Sequence, residues 1–166
     1  HSRPFGCLYL LAGVGDLSKV TVAIATPDLS RARSGHSFAL TLAAMGAKII
    51  YSGTSALPMP EVVRRKLTAM GAHFEEHFDL TKKENEMLYM DKKVDLIYLP
   101  GCSVKKDDPN RADFERKMAN FLTSLWKCMK TIKEKTGKRS AFNHSLPRNP
   151  GEFGFQHRQY RTSTLL

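Results

Sequence analysis

Four short apolar runs, separated by stretches of helical periodicity, constrain this chain more than any other feature. They are Val20 to Thr26 (VTVAIAT), Ala47 to Gly53 (AKIIYSG), Ala72 to Phe78 (AHFEEHF) and Val94 to Pro100 (VDLIYLP), mostly bounded by Gly or Pro, and Ser140 to Leu146 (SAFNHSL) is a weaker fifth. Short apolar segments alternating with helices predict an α/β fold, a doubly wound parallel sheet of four or five strands with helices on both faces. The first and fourth runs are apolar throughout, as strands buried on both faces must be. Only the third, where Phe alternates with acidic residues and His, reads as an edge with one wet face.

The intervening helices show their inward faces. Gly35 to Met45 places Phe38, Leu42 and Met45 together and stops at Gly46, while a second helix opens at Pro60, points Val63, Leu67 and Met70 inward and stops at Gly71. Both stops read MGA and lead into a strand, which fits a glycine C-cap within a βαβ unit and not a sequence repeat. From about Pro109 to Lys135, Phe114, Met118, Phe121, Leu125, Met129 and Ile132 recur in steps of four and three, a core-facing stripe.

At 166 residues, with 42% hydrophobic and 25% charged residues, the chain suits one packed domain. Its apolar runs fall far short of the roughly 20 residues that cross a bilayer, so no membrane insertion is expected. It opens at His1 without a basic-then-apolar leader, and is expected to be a piece of a longer or processed chain. Cys7, Cys102 and Cys128 form no CxxC or Cys/His cluster, so the expectation is reduced, mostly buried thiols and no metal. The net charge of +10 and pI near 9.7 favour an anionic partner: RNA, a phosphorylated ligand, an anionic membrane surface or an acidic protein face. The plainer alternative is a basic surface with no specific partner.

The most suggestive segment is PDLSRARSGHSFAL, from Pro27 to Leu40, where the first strand hands over to its helix. Strand ends and helix N-termini converge at such a point. Arg31 and Arg33 there are placed to clamp a carboxylate or phosphate, with Ser34 as helix cap beside bare backbone N–H groups; the alternative is two solvated arginines. No GxGxxG follows the first strand and no GxxxxGK[ST] occurs, so no nucleotide cofactor is expected. Glu75 and Glu76 pair on the proposed edge strand, where solvation explains them.

DLSRARSGHSF resembles the DLxxGRTxHSL segment in the aspartate-binding domain of aspartate carbamoyltransferases, and the likeness continues along the chain. LPMPEVV resembles that family's LxMP segment, VDLIYLPG its VDxLYxTR strand, and HSLPR at His144 to Arg148 its HPLPR, while His1 stands about where the family has the histidine of HPxQ. The resemblance implies that Arg33 binds a substrate α-carboxylate, that His36 and Ser37 shape the helix start, and that His1 polarises a carbamoyl oxygen. It also implies a substrate-binding strand end at His144, Leu146 and Arg148, where backbone carbonyls around Ser145 and Leu146 accept from the carbamoyl nitrogen. The plainer readings are a terminal residue without a role for His1 and a satisfied strand-end histidine for His144. A domain of this kind would span residues 1–148, leaving a basic, aromatic tail over 149–166.

Several positions depart from the family pattern. Gly101 and Ser103 replace the arginine and glutamine that hold the second carboxylate and the amine, Pro4 replaces the HPxQ glutamine, Ala32 replaces the turn glycine, and HSLPR lacks the first proline. The Ser-x-Arg-Thr loop that cradles carbamoyl phosphate in this family is absent from the sequence. The departures support a non-catalytic accessory subunit of a large assembly, with a mitochondrial ribosome or respiratory complex, and so a mitochondrial location, as the expectation. The competing expectation is a divergent carbamoyltransferase acting on aspartate, with its carbamoyl-phosphate domain outside this sequence. The tail carries Arg158 and Arg161 among Phe155 and Tyr160, a mixture suited to other protein subunits or RNA as partner.

Overall fold

The computed structural model describes residues 15–100, 107–137 and 141–144. A short 3-10 turn at Leu17–Lys19 leads into β1 (Thr21–Ala25), then α1 (Arg33–Ala44), β2 (Lys48–Gly53), α2 (Glu61–Ala69), β3 (Phe74–Phe78), α3 (Lys82–Asp91), β4 (Leu96–Leu99), α4 (Arg111–Thr136) and β5 (Ala141–His144). All neighbouring strands run parallel, in the order β3-β2-β1-β4-β5. The expected doubly wound sheet is therefore present, with five strands.

Side chains alternate across the sheet as the period of two requires. Val22, Ile24, Ile49, Tyr51, Leu96 and Tyr98 face α1 and α2, meeting Phe38, Leu42, Val63 and Leu67 in one core. Ala23, Ala25, Ile50, Ile97 and Leu99 face the other way, toward Tyr89 of α3 and Leu125, Cys128 and Ile132 of α4. Every residue of β1 and β4 is buried, which is why those runs carry no polar alternation. The two MGA stops behave as anticipated: Gly46 and Gly71 adopt φ of 77° and 66°, the left-handed conformation that ends each helix.

Three expectations are corrected. Met45 and Met70 are exposed at 43% and 45% instead of facing inward, because each is the C-cap of its helix, where the chain already turns toward the next strand. β3 is an edge, but β5 is the opposite edge, paired only with β4. Glu76 is not simply solvated. Arg64 reaches from α2 to pair with it at 3.3 Å, while Glu75 binds Lys92 at 2.7 Å and His77 at 3.1 Å.

Apolar periodicity does not reveal α3. Two of its inward positions are polar, Asn85 and Glu86, so its stripe is diluted. Asn85 accepts from the Ser52 hydroxyl at 2.7 Å and donates to the Leu80 and Thr81 carbonyls at 3.3 Å each. Glu86 accepts from Lys135 of α4 at 2.6 Å. The helix start was legible in another way: Thr81 and Glu84 form a reciprocal capping box, the Glu84 carboxylate accepting the Thr81 N–H at 2.8 Å. The long amphipathic segment is one helix, with Leu125 and Ile132 buried and Phe121 and Met129 packed against the core.

Among the described residues no helix is long and apolar enough to cross a membrane, and no group of His, Cys, Asp and Glu is arranged to hold a metal ion. Cys7 and Cys102 lie outside the described residues.

Two consequences are measurable. A Cβ on Gly53 would stand 2.7 Å from the Thr26 carbonyl oxygen and 3.0 Å from Leu29 Cδ1. Gly53→Ala is therefore expected to cost about 1–3 kcal/mol in urea unfolding, and an unchanged midpoint would show that the loop yields freely. Cys128 is buried between the sheet and α3, and burial, reinforced by the Glu86 carboxylate, pushes its thiol up to about 12. Iodoacetamide at mildly alkaline pH should leave the Cys128 peptide unmodified until denaturant is added; labelling of the native protein at the rate of a free thiol would contradict this burial.

Candidate acceptor site at the strand switch

Strand order reverses between β1 and β4: the chain winds outward from β1 through β2 to β3, then crosses back to β4 on the other side. The carboxyl ends of β1 and β4 therefore diverge into connections on opposite faces, and the crevice between them is where open α/β sheets bind ligands. The N-terminus of α1 stands over it. A Cβ on Gly35 would lie 3.2 Å from Pro100 Cγ and 3.3 Å from Ile24 Cγ2, so the first turn of α1 rests directly on the ends of β4 and β1. One turn later Phe38 meets Tyr98 edge-on, ring centroids 4.9 Å apart.

The loop from Thr26 to Ala32 is built by local polar bonds. Asp28, with a fully buried side chain, accepts from the Ser30 hydroxyl at 2.6 Å and the Arg31 N–H at 3.1 Å, and pairs with Arg31 Nε at 3.1 Å. From the β2 side, Thr26 N–H donates to the Ser52 carbonyl at 3.0 Å and the Thr54 hydroxyl to the Pro27 carbonyl at 2.8 Å. Leu29 N–H donates to the Leu57 carbonyl at 3.0 Å. The end of β3 is tied in as well. Asp79, in the left-handed region at φ 56°, donates its N–H to the Gly53 carbonyl at 3.0 Å and accepts from Ser55 N–H at 3.3 Å.

The two arginines thus divide their roles. Arg31 is committed to Asp28, whereas Arg33, the first residue of α1, is exposed and has no carboxylate partner among the described residues. Its helix has no side-chain cap: the N-cap is Ala32, and no acidic residue sits in the first turn. Ser34 is consequently not the cap that the sequence suggested, since the chain is already helical at Arg33. A helix start without a side-chain cap carries partial positive charge on its first N–H groups, and Arg33, its first residue, adds a guanidinium with a bidentate donor edge to the same turn. Chemically, that combination suits an anion such as a carboxylate. His36 closes the arrangement, donating Nε2–H to the Leu29 carbonyl at 2.6 Å.

His144 ends β5, at the same carboxyl edge of the sheet as Arg33, though of its side chain nothing is described. His1, Pro4, Gly101, Ser103, Leu146 and Arg148 lie outside the described residues, as do the tail residues Phe155, Arg158, Tyr160 and Arg161. Sequence reasoning missed Asp28 as the anchor of the loop and Thr54 as its clamp. The D-x-S spacing of Asp28 and Ser30, a common turn-forming pattern, was the available signal for the first; nothing local marks Thr54.

An open parallel sheet with an uncapped helix start at its switch point defines a doubly wound α/β domain, and comparison with known proteins supplies the family. No family model matches the chain. It is 34% identical over 153 residues, 88% of its length, to ureidoglycine carbamoyltransferase of Rubrobacter xylanophilus, and 31% identical over 121 residues, 73% of its length, to the aspartate carbamoyltransferase catalytic subunit of Methanopyrus kandleri. These matches cover 44% and 35% of the two enzymes, so the chain spans less than half the length of the relatives it matches. The chain belongs to the aspartate/ureidoglycine carbamoyltransferase family. In fold, the catalytic subunit of M. jannaschii aspartate transcarbamoylase superposes with a TM-score of 0.58 at 19% identity, over 85% of this chain and 42% of that one. A putative oxidoreductase from Escherichia coli K-12 reaches 0.51 at 20% identity over 75% of this chain and 56% of its own, a likeness of fold alone.

Asp28→Ala would leave the Ser30 hydroxyl, the Arg31 amide and the guanidinium without their common acceptor. A loss of about 1–3 kcal/mol in unfolding free energy is expected; stability equal to wild type would show that the carboxylate does not organise the loop.

Proposed function

We propose that this chain forms the acceptor-binding half of a carbamoyltransferase whose acceptor is an amine bearing one carboxylate, of the ureidoglycine kind. The observation that carries the reading is Arg33, presented by an uncapped helix start over the strand switch and left without a protein carboxylate among the described residues. By the family motif this is the arginine that grips the acceptor's α-carboxylate. With the carboxylate held there, the acceptor's amine is directed to a fixed point from which nitrogen attacks the carbamoyl carbon. The C–N bond forms, the bond to phosphate breaks, and the ammonium proton is lost. The cradle for the leaving phosphate is not in this sequence, so it must be supplied from elsewhere in the protein.

The departures acquire a meaning in this reading. The arginine that holds a second carboxylate in the aspartate branch is Gly101 here. Ureidoglycine carries a single carboxylate, and its other arm is a neutral ureido group that has no use for such a partner. An accessory subunit of a ribosome or respiratory complex was the other expectation, and nothing in the comparisons supports it or a mitochondrial location.

The test is calorimetry on the full-length protein in phosphate buffer with N-carbamoylglycine, a stable monocarboxylate with a ureido arm, against succinate, a dicarboxylate. N-carbamoylglycine is expected to bind the more tightly, and Arg33→Ala to weaken it by about tenfold or more, the equivalent of a charge-assisted contact of roughly 1.5–3 kcal/mol. Preference for succinate would return the chain to an aspartate-like acceptor, and no binding of either would overturn the acceptor-site reading.

A further inference from the structure

The segment that carries Arg33 is held at two points, and one of them depends on a single side chain. Leu29 is the fixed point: its side chain is fully buried, its N–H is bound to the Leu57 carbonyl, and its Cδ1 lies 3.0 Å from where a Gly53 Cβ would be. Seven residues on, His36 Nε2–H donates to the Leu29 carbonyl at 2.6 Å, while the His36 backbone N–H donates to the Ala32 carbonyl at 3.0 Å. The bond closes a loop that runs from Ser30 to Gly35 and includes Arg33.

We propose that His36 is a positioning residue for the acceptor site: by tying the first turn of α1 to Leu29, it fixes where the Arg33 backbone stands and so where its guanidinium meets a carboxylate. The inference rests on the acceptor reading above. Two observations carry it. The first turn of α1 has none of the usual restraints, with an alanine N-cap, no side-chain cap bond and no acidic residue, so an N-terminus of this composition frays unless something else holds it. The His36 bond supplies that restraint from inside the helix, back to a buried anchor. Arg33 and His36 are also three residues apart in the same first turn, so the bond made by His36 restrains the backbone that presents Arg33. Gly35 adds steric contact with Pro100 and Ile24 beneath the turn but no directional bond. The latch needs a proton on Nε2. Because the acceptor is a carbonyl, that proton is the one the ring donates.

The test uses the full-length protein and N-carbamoylglycine as probe, with folding checked by circular dichroism and thermal melting. His36→Leu keeps bulk and removes the donor, and is expected to weaken binding about fivefold to tenfold. His36→Gln, whose side-chain amide reaches the same carbonyl, should restore affinity to within about threefold of wild type. If leucine is not tolerated, His36→Asn, an amide too short to reach Leu29, carries the same comparison. Because the latch acts through Arg33, the Arg33→Ala/His36→Leu double variant should bind no more weakly than Arg33→Ala alone. Wild-type affinity in both the leucine and asparagine variants, with Arg33→Ala still deficient, would overturn the latch and leave the acceptor site standing. So would a double variant weaker than Arg33→Ala by the full factor of the single His36 change. Failure of the wild-type protein itself to bind the probe would bring down the acceptor reading and this inference together.

Discussion

β1 has no face left for water, and the arrangement of the domain follows from that. Pairing with β2 on one side and β4 on the other satisfies its backbone, while Val22 and Ile24 enter one core and Ala23 and Ala25 the other. A strand buried in this way must have helices on both faces, so the chain after it has to cover one side and then cross to cover the other. The crossing is what creates a switch point at the carboxyl end of β1. The alanines matter as much as the branched residues: Ala23 and Ala25 leave room for Tyr89 and the side chains of α4 on that face. The crevice at the strand switch is thus a by-product of core packing, available before any binding residue is chosen.

Several polar side chains inside this domain have designated partners, and those partners fall where elements must be held in register. Asp28 takes the Ser30 hydroxyl, the Arg31 amide and the Arg31 guanidinium, and so shapes the loop over the switch. Asn85 links the end of β2, through Ser52, to the start of α3, and Glu86 links α3 to the far end of α4 through Lys135. Exposed ion pairs contribute little net stability. The Glu86 and Asp28 pairs differ because one member of each is buried at 9% and 0% side-chain exposure, so losing the partner would strand a charge away from water. These contacts specify geometry more than they add stability.

Legibility in the sequence follows the same division. Strands buried on both faces announce themselves, so β1, β2 and β4 were read with boundaries close to those observed, and the glycine stops of α1 and α2 were unambiguous. α3 was not, because Asn85 and Glu86 occupy positions where periodicity looks for apolar residues; its capping box was the signal that remained. At the site, the segment was found but its internal assignments were not. Arg31 and Arg33 are the same residue type two positions apart, and only the placement of Asp28 in space separates the structural arginine from the available one. Ser34 looked like a cap because serine commonly is one, yet the helix begins a residue too early for it. Family resemblance reached Arg33 and His36 without supplying the bond between His36 and Leu29.

Loss of a family residue has two physical meanings, and the sign of the local charge separates them. Where a site decays, its remaining cations tend to be neutralised by neighbouring carboxylates or left with no geometric support. Here Arg31 takes the one buried carboxylate of the loop, and Arg33 is left available on a helix start pinned by Gly35 packing and the His36 bond. Arg33 keeps its support while Gly101, which follows Pro100 in sequence, stands where a second arginine belongs in the aspartate branch. Under the proposed monocarboxylate acceptor, a second arginine would face a neutral ureido arm and be desolvated with no charge to compensate it.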